Sequence, residues 1–181
     1  MTSSGVRRAV AATMVWVAAV VVLWAADVRV TPLVAEGRVF ASFVAGESYT
    51  PDVRESVQSG LPTTLTFTVE LRESAFIFFD RTISAVTVAS SIKYDTLTRA
   101  FQVSKMTGGQ VFSSENTSNE DEARKWATEF DRVSLSSGEN LEPNGEYYVR
   151  VRMRATPRRS FTLWPWGRDD ADGRADFTFI K

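Results

Sequence analysis

Cysteine and histidine are both absent from this chain of 181 residues. Without cysteine there are no disulfides, thiol nucleophiles or thiolate metal ligands, so apolar packing must hold the fold together alone. Without histidine there is no Ser-His-Asp triad, no histidine-bound zinc and no side chain that ordinarily titrates near neutral pH. Only carboxylate, lysine, tyrosine or serine-lysine chemistry is left for catalysis. We therefore expect a protein that is not an enzyme and has no cofactor or metal, and we rank an enzyme using Asp, Glu or Lys lowest.

A long uncharged run lies near the N-terminus, where residues 9–26 read AVAATMVWVAAVVVLWAA directly after Arg7 and Arg8. Arginines before an apolar run are typical of a secretory signal or a membrane anchor, and they orient the N-terminus toward the cytoplasm. The run exceeds an ordinary signal core of about 7–15 residues and reaches the lower limit of about 17 for a spanning helix. Both candidate cleavage sites place a large residue, Leu23 or Trp24, at −3. A retained anchor is therefore favoured over a cleaved signal.

The predicted division follows from this run. Residues 1–26 form the signal-anchor or signal peptide, and residues 27–181 form one extracytoplasmic, periplasmic domain of a single-pass protein of the cytoplasmic membrane. The domain would be secreted if the signal is cleaved. Two of the 21 Lys and Arg residues precede the run, so 19 remain against 22 Asp and Glu residues. This slightly acidic balance argues against a nucleic-acid partner.

Alternating apolar residues predict a mostly β domain. Residues 63–72 read TTLTFTVELR, which directs four apolar side chains to one face of a half-buried antiparallel strand. Strands are also predicted over 38–45, 83–92, 101–105, 147–155, 160–166 and 175–180. With turn signals between them, these strands favour an antiparallel β-sandwich-like single domain over a closed barrel.

Two short helices interrupt the strands. The first begins at Thr50 as N-cap with Pro51 in the first helical position, and it ends at Gly60. Its apolar contacts are expected from Val53, Val57 and Leu61. The second follows a polar acidic loop over residues 113–122, with Ser118 or Asn119 as its cap. Its predicted apolar face consists of Ala123, Trp126, Ala127 and Phe130.

Three arginines, Arg150, Arg152 and Arg154, alternate along the predicted strand 147–155 and therefore share its outer face. Such a row can bind an acidic protein partner or anionic lipid head groups. The alternative is a solvated face whose arginines pair with acids of neighbouring strands, for example Glu70. We predict this face as a binding site.

The segment Trp164-Pro165-Trp166 is a second candidate binding site. Two indole rings around a proline make a stiff aromatic tip that can bind a partner or rest in the membrane interface. The alternative is that Trp164 and Trp166 both cover one end of the β core.

Carboxylates offer weaker candidates. Residues 169–173 read DDADG, which suggests calcium, but the spacing does not fit an EF-hand loop and a solvated turn is expected. Asp80 and Asp95 have shifted pKa values only if they are buried, and an ion pair with a neighbouring Arg or Lys is the expected fate of each.

The order of these features resembles an uncharacterised bacterial family of exported or membrane-anchored proteins, defined only as a domain of unknown function. The resemblance covers about residues 38–180. It lies in the helix-to-strand step ESVQSGLP (55–62), in VELR (69–72), in KYDTLTR (93–99), in YYVRVRMR (147–154) and in DFTF (176–179). It implies genes that often lie beside membrane sensor kinases of the nitrogen-regulation type.

These observations lead to one expected function and one alternative. We expect a non-enzymatic, membrane-anchored domain that binds another envelope protein, with modulation of a sensor kinase or help in envelope assembly as its purpose. The alternative is a lipid-binding or amphiphile-binding β module, with an apolar cleft between the sheet and the helix that carries Trp126.

Overall fold

The computed structural model describes residues 28–74, 80–156 and 171–180. It confirms a mostly β, antiparallel, sandwich-like single domain with two short helices. The strands are β1 (Arg29–Ala35), β2 (Arg38–Val44), β3 (Thr63–Glu73), β4 (Arg81–Asp95), β5 (Ala100–Thr107), β6 (Gln110–Thr117), β7 (Glu129–Ser137), β8 (Glu146–Thr156) and β9 (Asp172–Thr178). The helices are α1 (Pro51–Gln58) and α2 (Glu120–Thr128), with 3₁₀ turns at Gly46–Ser48 and Gly138–Asn140.

The strands form two sheets of unequal width. The small sheet has the order β1-β2-β7, and the large sheet has the order β6-β5-β4-β3-β8-β9. The described residues contain no helix with the length and apolarity needed to cross a membrane. The predicted anchor, residues 9–26, lies outside them.

The centre of the large sheet is β3, as its alternation predicted. Leu65, Phe67, Val69 and Leu71 are fully buried, while the residues between them are only partly covered. Because β3 pairs with β4 on one side and β8 on the other, its apolar row lies in the middle of the core. Burial of these four side chains stabilises the fold by about 1.5–3 kcal/mol each.

Three phenylalanine rings join the two sheets. Phe43 of β2 lies 5.2 Å from Phe67 of β3 and 5.0 Å from Phe130 of β7, measured between ring centroids. The third side of the triangle, Phe67 to Phe130, measures 5.4 Å. Offset and edge contacts at these distances are favourable beyond the area they bury. Phe130 therefore fixes the start of β7 against the large sheet.

The first helix begins and ends as the sequence indicated. The Thr50 hydroxyl accepts a hydrogen bond from the Val53 N–H at 3.3 Å, and Gly60 follows the helix with φ of +81°. Val53 and Val57 are buried, but Leu61 is 48% exposed, so its predicted packing is wrong. Leu61 lies beyond the left-handed glycine, where the chain has already turned away from the helix face.

The second helix is capped by Asn119, whose side chain accepts from the Asp121 N–H at 2.9 Å and the Glu122 N–H at 3.4 Å. Ala123 and Ala127 are buried, as expected. The helix packs mainly on β5. It thereby takes the place of a fourth strand in the small sheet over part of its length.

Two predictions about the surroundings of α2 are wrong. Residues 113–117, predicted as loop, belong to β6, and Phe130, predicted on the helix, belongs to β7. β6 is an edge strand that is exposed on both faces, so no apolar alternation marks it. Phe130 follows Trp126 by four residues, the spacing of one helix face, but the helix ends at Thr128 and the chain continues directly as strand β7.

The strands β1 and β7 were not predicted. β1 contains Pro32 and forms the outer edge of the small sheet, a position that proline tolerates. The predicted last strand is confirmed but begins earlier, at Asp172. The predicted strand 160–166 lies outside the described residues.

Candidate functional site

The predicted arginine face exists, and it is largely paired. Arg150 and Arg152 project from the outer face of β8, opposite the buried row of Tyr147, Val149, Val151 and Met153. Arg150 binds Asp172 of β9 through two guanidinium nitrogens, at 2.7 Å for Nη2. Arg152 binds Glu70 of β3.

Cross-strand pairing with acids, which the sequence offered as the alternative, is therefore the observed arrangement for these two residues. Arg154 is exposed, and the described part of the chain supplies it with no carboxylate partner. Of these three arginines, only Arg154 is without a carboxylate partner among the described residues.

One residue of this outer face is unexpectedly buried. Tyr148 lies beneath Arg174, whose guanidinium carbon is 3.7 Å from the ring centroid, and its hydroxyl donates to the Asp80 carboxylate at 2.6 Å. Arg72 donates to the Asp80 carbonyl at 3.1 Å. Burial, reinforced by the hydrogen bond to Asp80, raises the pKa of the Tyr148 hydroxyl. Asp80 therefore anchors a tyrosine through a hydrogen bond, in addition to its contact with an arginine.

The other two predicted candidates, the tryptophan pair and the acidic segment, lie largely outside the described residues. Trp164 and Trp166 lie outside the described residues, as do Asp169 and Asp170. Of the same acidic segment, Asp172 is bound to Arg150, while Asp176 is bound to Arg174. Residues 28–74, 80–156 and 171–180 contain no cluster of three or more acidic groups able to hold a metal ion.

Asp95, the other carboxylate singled out, lies at the end of β4 in a turn. Its Oδ1 accepts from the Leu97 N–H at 2.9 Å and from the Thr98 N–H at 3.2 Å. These backbone hydrogen bonds lower the pKa of Asp95, because they stabilise the charged carboxylate. The arrangement is a structural turn.

Two cavities, of about 530 Å³ and 460 Å³, meet at β7, where they share Lys105, Phe130 and Asp131. The smaller follows the edge of β7 that faces away from β2, while the larger extends across the start of β7 to β2 and β1. Together they form a groove that we call the β7 groove. The larger cavity is also lined by Trp126 of α2 and by Val44 of β2. The smaller is walled by residues 130–134 of β7 and by Val86, Val88, Thr107, Phe112 and Ser113 of the large sheet.

The groove exists because the two sheets differ in width. β7 ends the small sheet, while the large sheet continues past it through β5 and β6. α2 packs on β5, and at the level of Lys105 the Ser90 hydroxyl of β4 donates to the Ala127 carbonyl of α2 at 2.6 Å. Beyond Lys105 no described element covers the inner face of β5 and β6. Phe112 is 60% exposed there.

Lys105 is the central polar group of the groove. It follows Phe101 and Val103 on the inner face of β5, so its stem lies among apolar side chains. Its ammonium donates to the Glu129 carbonyl at 2.7 Å and lies 5.1 Å from the centroid of the Phe130 ring. Desolvation lowers the pKa of the Lys105 ammonium, although Glu129, Asp131 and Glu115 act in the opposite direction.

None of these carboxylates is close enough to Lys105 to form a salt bridge within the described residues. An ammonium has three donors, and Lys105 uses one of them on protein. The groove thus contains a half-buried cation with donors to spare.

A β-bulge shapes β7 at the point where the two cavities meet. The pairing of β2 with β7 shifts between Ala41 and Phe43, so Asp131 and Arg132 both lie opposite Ser42. The Ser42 hydroxyl donates to Asp131 at 2.6 Å and accepts from the Arg132 N–H at 3.1 Å. Arg132 has φ of +49°, an uncommon conformation outside glycine. Bulges of this kind interrupt pairing and are frequent beside binding sites.

The larger cavity is lined by charged residues of both signs, and the basic residues outnumber the acidic ones. Three basic residues line it, Arg29, Lys105 and Lys125, against two acids, Glu129 and Asp131. Asp131 is already engaged by Ser42. The site suits an anionic group beside an apolar one.

The sequence predicted an apolar cleft beside the helix that carries Trp126 but not the β7 edge or Lys105, although it contained one signal for the lysine. A lysine at the core-facing position of a strand, two residues after Val103, contradicts the apolar alternation. The groove itself depends on the number of strands in each sheet, and local sequence patterns do not predict that number.

Comparison with protein families identifies the chain. A family described as a domain of unknown function, DUF4390, matches residues 27–159. The chain belongs to this family. The match covers both sheets as far as β8 and includes every residue named for the β7 groove. Neither the curated proteins nor the solved structures include a match to the chain. The family has no assigned activity to transfer, so we infer function from the β7 groove.

Proposed function

We propose that this DUF4390 domain is a non-enzymatic binding domain of the cell envelope, held at the outer face of the cytoplasmic membrane by residues 9–26. Its ligand would be another envelope protein. The observation that supports this most is the β7 groove, where a strand edge with no partner among the described residues, exposed apolar side chains and a half-buried lysine with donors to spare lie together. Exposed apolar surface rimmed by polar groups commonly marks a protein interface.

The N-terminal run supports the location, since arginines before about 17 or more apolar residues are the pattern of an anchor. The resemblance to proteins encoded beside membrane sensor kinases supports a kinase of the nitrogen-regulation type as the partner. Modulation of such a kinase, or help in envelope assembly, would then be the purpose of the interaction.

Site-specific photo-crosslinking tests the proposal. A photoreactive amino acid replaces Phe112 in the groove and, as the matched control, Leu97, which is 93% exposed on the β4–β5 turn. After irradiation of cells, we expect a discrete adduct from position 112 that contains one membrane or periplasmic protein, and none from position 97. Adducts from both positions with the same abundant proteins, or from neither, would count against a specific partner at the groove.

One observation supports a second candidate, an amphiphile-binding domain. In the larger cavity Trp126 lies with Val44 and Phe130, close to Lys105 and Lys125. An anionic amphiphile would find an apolar surface and two cations there. Titration with laurate should then blue-shift the Trp126 fluorescence, dodecanol should bind more weakly, and Trp126→Phe should abolish the shift. Unchanged fluorescence at saturating laurate would exclude this function.

A further inference from the structure

The geometry points to strand addition as the mode of binding: an extended segment of the partner pairs with the free edge of β7 and places a carboxylate on Lys105. This inference rests on the proposed function and names the chemistry of the partner. The occupant is an extended polypeptide with apolar residues at alternating positions and an Asp or Glu among them.

The shape of the smaller cavity supports an extended occupant. Five consecutive residues of β7, 130–134, line it, so it follows the strand edge rather than crossing it. Within the described residues β7 has no strand partner except β2, and its second edge faces this cavity. A strand added at the usual spacing of about 4.8 Å would lie over β5 and β6, where the small sheet is missing a strand.

The walls of the cavity fit such a strand. The inner faces of β4 and β6 present Val86, Val88 and Phe112, which would contact every second side chain of the added segment. These residues form the floor that a fourth strand of the small sheet would cover. An added strand would lie about 10 Å from this floor, the usual distance between sheets packed face to face.

Lys105 supplies the charge complementarity. Its ammonium is half-buried, has one protein acceptor and forms no salt bridge with any carboxylate of the described chain. A carboxylate from the added strand would satisfy the remaining donors with charge-assisted hydrogen bonds. The same lysine, together with the bulge at Asp131 and Arg132, discourages apolar strands, since a charge and a bulge protect an edge from indiscriminate pairing.

Selection of peptides tests the inference with a defined probe. The bait is the full-length protein in mild detergent, and the probe is a phage library of random peptides of about nine residues, a length within the range of single strands. We expect the enriched peptides to alternate apolar and polar residues and to contain a conserved acidic position. The selected peptide is then synthesised with single N-methyl groups along its backbone.

Strand addition predicts a two-residue period in this series. N-methylation at every second residue should weaken binding about tenfold or more, because it removes ladder hydrogen bonds, while the residues between tolerate it. A uniform loss, or a period of three to four residues, would overturn the inference. This series uses the wild-type protein only, so it does not depend on the folding of any variant.

A double-mutant cycle between the peptide and the protein tests whether the peptide carboxylate binds Lys105. Replacing the acidic peptide residue by its amide should cost about tenfold in affinity for the wild type, and almost nothing for Lys105→Met. Lys93→Met, a lysine of β4 on the other side of the same sheet, is the matched control and should behave as the wild type. Equal losses for all three proteins would overturn the role of Lys105.

Other occupants give recognisable results. Sedimentation of the protein as a dimer that Phe112→Glu dissociates would replace the partner segment by a second copy of this chain. Peptide binding that laurate abolishes competitively, with no two-residue period, would assign the groove to amphiphiles. A specific photo-adduct at position 112 without a two-residue period would leave the proposed function standing and reject strand addition alone.

Discussion

Removal of one ring from the phenylalanine triangle is the sharpest test of how the two sheets are held together. Phe67 is fully buried on β3 and contacts Phe43 and Phe130, one on each of two strands of the small sheet. Phe67→Ala leaves a cavity that β3 and β2 cannot close by moving together, since each is fixed by ladder hydrogen bonds on both sides. Buried Phe→Ala changes cost about 3–5 kcal/mol.

The two ring contacts place this site in the upper part of that range, because aromatic pairs add about 0.5–1.5 kcal/mol beyond area burial. We therefore expect a loss of about 4 kcal/mol, a large share of the roughly 5–15 kcal/mol that stabilises an ordinary domain. At a urea slope of about 2 kcal/mol per M, the unfolding midpoint should fall by about 2 M.

The assay is urea unfolding of the full-length protein in mild detergent, followed by tryptophan fluorescence. Leu97→Ala is the matched control, because this side chain is 93% exposed and its removal should change stability by less than about 0.5 kcal/mol. A loss below about 1.5 kcal/mol for Phe67→Ala would refute the reasoning. The sheets would then be joined by something other than the phenylalanine triangle.

Three further predictions concern the ends and margins of the fold. Asn119→Ala removes the acceptor of two helix N–H groups and should cost about 1 kcal/mol in urea unfolding, with loss of α2 protection in hydrogen exchange. Gly173→Ala should cost about 1–3 kcal/mol by the same assay, because a Cβ at this position would lie 2.8 Å from the Val28 Cβ. Burial, ahead of the nearby Glu120 charge, raises the pKa of Tyr49 from 10.0 to about 12, so the Tyr49 contribution to stability is present below about pH 10 and is lost between about pH 10 and 12. Tyr49→Phe should therefore reduce the loss of stability over that interval, and an unchanged alkaline profile would contradict the burial of its hydroxyl.

The sequence predicted those parts of the fold whose signal is local. β3 alternates because it has one buried face, and α1 is marked by Thr50 and Pro51 at its start and Gly60 at its end. Edge strands lack such signals. β6 is exposed over most of its length, so burial imposes no period on it, and β1 is an edge strand whose residues are only partly buried or exposed. An acidic, polar stretch such as residues 113–117 then resembles a loop.

The arginine face illustrates a different limit. The alternation of β8 correctly predicted that its three arginines lie on an outer face. The charge of one strand does not, however, predict the net charge of the surface to which neighbouring strands also contribute. The acids that neutralise Arg150 and Arg152 come from β9 and β3, which are 22 and 82 residues away in the chain. Only the strand order brings them together. Exposed pairs of this kind contribute about 0–1 kcal/mol each, so their main effect is to leave the face nearly neutral.

Lys105 differs from the arginines of β8 in how its charge is neutralised, and this difference favours the β7 groove as the binding site. Arg150 and Arg152 occur in a row of like charges, yet the fold supplies each with a carboxylate. Lys105 stands alone on the apolar inner face of β5, yet the described fold brings no carboxylate within salt-bridge distance of it and leaves it beside an unpaired strand edge. A half-buried cation carries a desolvation cost that an exposed one does not. A bound carboxylate would offset that cost, whereas the paired arginines have little to gain from any ligand. Recognition is therefore expected where the fold leaves a charge unsatisfied, and among the described residues that condition and an open backbone edge coincide in the β7 groove.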